Sequence, residues 1–280
     1  MLQFMIMYKQ EFKTGRWTNT IASPIDLNSQ EMQERDVVFI HPGYQKPAPI
    51  HAKMMELLAG INGGQYFPIG VDTRRGYPGA HNPYFNEACS YDNRFILRRP
   101  TGLLQIIDAL RIDSYYYIGH SRGVEIGLVA TSAENQPATC KSMTLVNGLG
   151  TGPLGGLPQL CQANMRAWGN RREYMVNISG VTSGALESTA YFLTHIPRTI
   201  KEIRYMQRLD AWPYIDQATA KGMSINVFNA KNDPLIGFEG AQEQANKRPS
   251  INFTATEGSH SNIYGLPVIE QMVETVSNLN

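Results

Sequence analysis

Cysteine is scarce in this chain. Three residues in 280 (Cys89, Cys140 and Cys161) are odd in number, widely spaced and without a C-x-x-C pair. That excludes a disulfide-stapled framework and a cysteine-based zinc site, and it fits a reducing compartment. An excess of one charge is also missing, since 25 Lys and Arg face 24 Asp and Glu for a formal net charge of +1. A nucleic-acid binder would need a dense basic face, so no nucleic-acid partner is expected. Short basic pairs such as Arg98-Arg99 and Arg171-Arg172 read as solvated surface. No stretch approaches the ~20 apolar residues of a membrane-spanning helix. The apolar start, residues 1–9, is interrupted by Gln3, ends at Lys9, and has neither a basic leader nor a small-residue cleavage site. It reads as a first β-strand rather than a signal peptide. A soluble cytoplasmic protein is the expectation.

Two cofactor signatures are absent as well. No dinucleotide glycine fingerprint follows the first strands, and there is no phosphate loop of the G-x-x-x-x-G-K-[ST] type. His51, His81 and His195 lack helical H-x-x-x-H spacing and adjacent carboxylates, so a metal site is not expected.

What is present is an alternation. Hydrophobic residues make up 42% of the chain, an ordinary share for a globular protein. Short apolar runs stop at Gly, Pro, Asp or Asn: Val37 to Ile40, Tyr66 to Val71, Tyr115 to Ile118, Met143 to Val146 and Ile225 to Phe228. Such runs, rich in β-branched and aromatic residues and apolar on successive positions, suit strands buried on both faces. Helical patterns lie between them, over residues 50–59, 103–110 and 124–131, and residues 267–279 end amphipathically. Strands alternating with helices predict an α/β fold with a mostly parallel sheet covered on both sides.

One stretch breaks the pattern. Residues 151–222 hold no strong strand but much Gly and Pro, followed by helical segments rich in aromatics and Met, among them Trp168, Tyr205, Met206 and Trp212. A structureless loop of that length is improbable inside a compact domain. It reads as a helical cap inserted into a core made of residues 1–150 and 223–280. The alternative is a pair of ordinary crossover helices with a long decorated connection.

The chemistry concentrates in Gly119-His120-Ser121-Arg122-Gly123, which leaves a buried strand and enters a helix. A G-x-S-x-G sequence in that setting forms a nucleophile elbow. The turn is so tight that its flanks need glycine, and the serine hydroxyl is pushed out above the sheet. The amides of the following helix aim at the point where negative charge develops.

With that segment the chain resembles the α/β-hydrolase superfamily, over most of its length. The resemblance implies an order of nucleophile, acid and histidine, and both partners have counterparts here. Asn229-Ala230-Lys231-Asn232-Asp233-Pro234-Leu235 follows a predicted strand and is similar to the family's acid loop. Gly258-Ser259-His260-Ser261 precedes the final helix, where the family places its histidine. The resemblance therefore implies Ser121 as nucleophile, His260 as base and Asp233 as acid. Serine at the elbow separates the chain from dehalogenases and epoxide hydrolases of this fold, which use aspartate there.

The resemblance also implies two oxyanion donors. One is the backbone N–H of Arg122, directly after the nucleophile. The other belongs to the loop that begins His-Gly in many members and reads His41-Pro42-Gly43-Tyr44 here. Pro42 has no N–H to give, so Gly43 is the first choice and Tyr44 follows if the loop shifts by one.

Other polar residues receive structural readings. His41 should pack under the oxyanion loop and His120 beside the elbow. Glu125, one helical turn past Ser121, either meets the site or pairs with a nearby Arg. Asp72 begins a structural loop. Asn147 ends the strand after the elbow, where some relatives keep the acid; an amide cannot stabilise an imidazolium, so Asp233 keeps that role. Trp168, Tyr205, Met206 and Trp212 are candidates for lining a substrate pocket.

The expected function is hydrolysis of a small-molecule carboxylic ester or acyl substrate by Ser-His-Asp acyl transfer, in the manner of an esterase or lipase, with no cofactor. Two alternatives stay open: a C–C bond or amide hydrolase using the same three residues, and a non-catalytic protein of this fold that holds a small ligand.

Overall fold

A computed structural model describes residues 7–14, 17–43, 51–73, 84–85, 93–156, 159, 200, 204–260 and 265–278. Eight strands form one sheet: β1 (Tyr8–Thr14), β2 (Trp17–Ser23), β3 (Asp36–His41), β4 (Tyr66–Asp72), β5 (Ser114–His120), β6 (Thr139–Val146), β7 (Ser224–Ala230) and β8 (Ile251–Thr256). Their order across the sheet is β1-β2-β4-β3-β5-β6-β7-β8. Only β1 with β2 and β2 with β4 pair antiparallel; every other neighbour pair is parallel. Of the run at residues 1–9 expected as a strand, Tyr8 and Lys9 open β1, which pairs antiparallel with β2, and residues 1–6 lie outside the described residues.

The helices are α1 (Glu31–Glu34), α2 (Ala52–Gly60), α3 (Asn93–Leu110), α4 (Arg122–Thr131), α5 (Trp212–Ala220), α6 (Phe238–Asn246) and α7 (Leu266–Ser277). They cover both faces, which is why the central strands are apolar at successive positions. On β5, Tyr115 and Tyr117 join one core with Phe39, Leu104, Ile126 and Leu145. Tyr116 and Ile118 join the opposite core with Met54, Met55, Val273 and Val276. Each large side chain so buried stabilises the fold by roughly 1.5–3 kcal/mol relative to exposure.

Helix α5 falls inside the 151–222 segment expected as a cap, yet it packs on α4 and β7 and gives Trp212, Ile215 and Ala218 to the main core. It is the crossover that carries the chain from the β6 side back to β7. Residues 157–158, 160–199 and 201–203 of that segment, with Trp168, lie outside the described residues.

Candidate active site

The elbow is built by close approach. Ser121 has φ 53° and ψ −113°, a conformation sparsely populated by any residue with a side chain. The carbonyl of Val146 on β6 holds its N–H at 2.9 Å, and its own carbonyl accepts from Leu149 N–H at 3.2 Å. A Cβ on Gly123 would lie 2.4 Å from the His41 carbonyl oxygen, and one on Gly119 2.9 Å from Gly123. Only glycines allow α4 to start this close to β3 and β5. One turn on, Gly127 admits the Tyr117 ring, whose hydroxyl donates to the Gly123 carbonyl at 2.7 Å.

Three residues from three strand ends then meet in a chain of hydrogen bonds. Ser121 Oγ lies 2.9 Å from His260 Nε2, and His260 Nδ1 lies 2.8 Å from Asp233 Oδ2. With the carboxylate accepting the Nδ1 proton, Nε2 is free to accept the serine proton. The other carboxylate oxygen, Oδ1, accepts the backbone N–H groups of Leu235 and Ile236 at 2.8 and 3.1 Å. That fixes the carboxylate plane, so its orientation does not depend on the histidine. Such an arrangement can take a proton from the serine and hold the resulting imidazolium beside a negative charge.

On the other side of Ser121 lies the loop after β3. A Cβ on Gly43 would meet Ser121 Cβ and His120 Nδ1, both at 3.1 Å, so the backbone of Gly43 runs directly along the nucleophile. Tyr44 lies outside the described residues. His41 packs beneath, as expected. Its Nδ1–H donates to the Pro42 carbonyl at 2.9 Å, and Nε2 accepts from the Thr73 hydroxyl at 2.6 Å. Burial pushes its pKa down to about 3, with the Arg99 and Arg122 charges adding to the effect. His51 is held down to about 3 by burial and by the neighbouring His41. Both rings are therefore neutral in the fold near neutral pH.

The remaining candidates divide. Tyr205, in helical residues 204–208, donates its hydroxyl to Glu125 Oε1 at 3.0 Å, while Arg122 Nε stands 3.5 Å from Glu125 Oε2. Arg122 and Glu125 are both buried. Glu125 thus connects α4 to the chain segment before α5, a link the sequence does not reveal because the two residues lie eighty positions apart. Burial and the Glu125 carboxylate push the Tyr205 hydroxyl pKa well up, so the phenol stays protonated. Met206 packs with Leu149, Leu235 and Ile236 in a small apolar cluster beside the acid loop. Trp212 belongs to the main core instead: its indole N–H donates to the Thr151 carbonyl at 2.9 Å and Arg248 stacks on its ring. Among the described residues, no three His, Cys, Asp or Glu side chains gather in a way that would hold a metal ion. None of the described helices is long and apolar enough to cross a membrane.

No protein-family model matches the chain, and no curated protein matches it by sequence. Solved structures do match. A candidate lipase, lip1, from Acinetobacter baumannii AYE superposes with a TM-score of 0.66 at 14% identity, over 98% of this chain and 92% of that one. The thioesterase domain from the curacin biosynthetic pathway gives 0.62 at 14% identity, over 97% and 99%. The 2-hydroxy-6-oxo-6-phenylhexa-2,4-dienoate hydrolase of Rhodococcus sp. strain RHA1 gives 0.62 at 14% identity, over 98% of each chain. With the strand order and the elbow already described, these likenesses identify the fold: the chain is an α/β-hydrolase-fold protein.

Proposed function

We propose that this chain is a serine hydrolase that cleaves carboxylic esters through an acyl-enzyme intermediate. The observation that carries the reading is the continuous chain Ser121 Oγ–His260 Nε2–Asp233, at 2.9 and 2.8 Å, on a strained elbow at the start of a helix. In the first half-reaction His260 takes the Ser121 proton as Oγ attacks the ester carbonyl, and Asp233 stabilises the imidazolium. The tetrahedral oxyanion is received by the N–H of Arg122 at the α4 N-terminus and by the N–H of Gly43. His260 then protonates the leaving alkoxide, and the C–O bond breaks. In the second half, His260 activates water and the acid is released.

As part of this reading, the 151–222 segment supplies a cap, with Tyr205 and Met206 as candidates for the acyl pocket, while its helix α5 packs in the main core. The Tyr205–Glu125 hydrogen bond supports that reading. A cytoplasmic location is part of the same proposal, supported by the sparse cysteines and the buried thiol of Cys140.

The test is hydrolysis of p-nitrophenyl esters of increasing acyl length by wild type and Ser121→Ala, with labelling of Ser121 by a phosphonate probe. Activity and labelling that both vanish in Ser121→Ala are expected, and the chain-length optimum then sizes the pocket. Labelling without ester turnover would redirect the reading to amide or C–C bonds. A folded protein that neither labels nor turns over would mark a ligand-binding member of the fold.

A further inference from the structure

The hydrogen-bond chain leaves one requirement unmet. His260 sits in a loop, four residues past the end of β8 and just after Gly258, which turns at φ 98°. A loop histidine whose backbone can rotate would swing its imidazole away from both Ser121 and Asp233. Something has to fix the peptide as well as the ring.

Two buried side chains converge on that peptide. His120 Nε2–H donates to the His260 carbonyl oxygen at 2.9 Å, and Asn147 Nδ2–H donates to the same oxygen at 2.9 Å. The two donors come from different strands, since His120 ends β5 and Asn147 directly follows β6. The His120 ring also lies against the His260 ring, with centroids 5.1 Å apart. Asn147 makes a third tie, because its Oδ1 accepts the backbone N–H of Ala230 at 2.8 Å. Ala230 ends β7, and its carbonyl accepts the N–H of Asp233 at 3.2 Å. Asn147 is also anchored through its own backbone, its N–H donating to the Phe228 carbonyl at 2.8 Å. It is fully buried, with φ 45°, a conformation asparagine tolerates better than most side chains.

We propose that His120 and Asn147 are positioning residues, which clamp the His260 carbonyl between the strand that delivers Ser121 and the strand that delivers Asp233. The inference rests on the hydrolase reading for its catalytic meaning. Each donor adjoins another member of the chain: His120 precedes Ser121 covalently, and Asn147 grips the strand end that leads to Asp233. One carbonyl oxygen therefore references the histidine to both its partners. An amide is needed at position 147 because it must donate on one side and accept on the other, which a carboxylate cannot do. The Nε2–H tautomer of His120 is fixed by the same bond, and proton acceptance at Nε2 is thereby blocked.

Two variants remove a single donor with little change of shape. Asn147→Asp keeps the acceptor for Ala230 N–H and loses the donor to His260. His120→Phe keeps a ring and loses its donor, and His120→Gln is the conservative rescue. Two readouts are made on proteins whose melting confirms folding. The first is amide hydrogen exchange over residues 256–260, recorded also in the Ser121→Ala background, where no reaction intrudes. The second is the saturable inactivation of Ser121 by a phosphonate, which separates binding from the chemical step.

Faster exchange over 256–260 in Asn147→Asp and His120→Phe is expected. The maximal inactivation rate should fall roughly 10- to 100-fold with little change in the half-saturating concentration, and His120→Gln should recover most of it. Wild-type exchange and a wild-type inactivation rate in folded variants would overturn the clamp. Weaker phosphonate binding with an unchanged maximal rate would also overturn it, because a positioning role acts on the chemical step. Failure of the wild type to react at all would instead strike the hydrolase reading, and hydrogen exchange would still decide whether the clamp exists.

Discussion

Two groups of histidines flank the elbow, and they are opposites. On the β3 side, His41 and His51 are buried, neutral and pushed down to about 3. On the β7 side, His260 is bonded at one nitrogen to a carboxylate and at the other to a hydroxyl. Among the described residues, His41 bonds to the Pro42 carbonyl and the Thr73 hydroxyl, and the Arg99 and Arg122 charges add to its lowering. The same imidazole is thus a buried packing element at His41 and a link between a hydroxyl and a carboxylate at His260. Burial lowers His41 more than its bond to the Pro42 carbonyl raises it, whereas His260 Nδ1 faces a carboxylate, which can hold a positive ring.

The largest effect that sharpens this comparison comes from the Asp233 side. Replacing Asp233 with Asn should lower kcat/KM by about 10⁴-fold while the protein still folds, since the amide favours the wrong tautomer. His41→Gln should lose far less in the same ester assay. A comparable loss in both would break the division between the two sides.

Acid unfolding is the next effect in size, and it belongs to the β3 side. His41 and His51 have folded pKa values near 3 against 6.5 for the ordinary side chain. Above pH 6.5 both are neutral in either state and cost nothing. Below it the unfolded chain takes up protons that the native state refuses, until the pH approaches 3. Stability should therefore fall between pH 6.5 and 3, by about 1.4 kcal/mol per pH unit for each histidine. Urea unfolding at pH 7, 6 and 5 measures this. A double variant with uncharged residues at positions 41 and 51 should show a flatter slope, referred to its own stability at pH 7.

A smaller effect is expected at the loop between the two sides. In Gly43→Ala the new methyl would press at 3.1 Å on both Ser121 Cβ and His120 Nδ1. Shifting either should cost roughly 10- to 100-fold in kcat, read in the ester assay with melting as the control. The smallest effect is expected at Tyr205→Phe. It removes a hydrogen bond to the buried Glu125 carboxylate and should cost about 1–2 kcal/mol in urea unfolding.

Much of this was legible in the chain. The apolar runs ending at Ile40, Val71, Ile118, Val146 and Phe228 all lie on strands of the sheet, because a strand covered on both faces must be apolar at successive positions. Ser121 is legible in its G-x-S-x-G elbow, and Asp233 and His260 through the resemblance of their loops to the α/β-hydrolase superfamily. The β1–β2 hairpin was only half visible: its alternation of polar and apolar residues at the edge of the sheet gives a weaker signal than a buried run. For Trp212, its aromatic neighbours in sequence suggest a cap, whereas its packing in the main core against Thr151 and Arg248 shows only in the fold. The bonds of His120 and Asn147 to the His260 carbonyl are not legible in the sequence, because a hydrogen bond to a carbonyl 140 or 113 residues away leaves no trace in local pattern.

The sequence by itself determined the α/β alternation and the elbow, because these follow from periodicity and from a turn that only glycine permits, and its resemblance to the α/β-hydrolase superfamily pointed to Ser121, Asp233 and His260. Tertiary structure decided the rest: which histidine faces a carboxylate, which helix joins the core, and what holds the His260 peptide in place. Those outcomes depend on which strand ends become neighbours in the sheet, and strand order is settled by long-range packing that no local run of residues encodes.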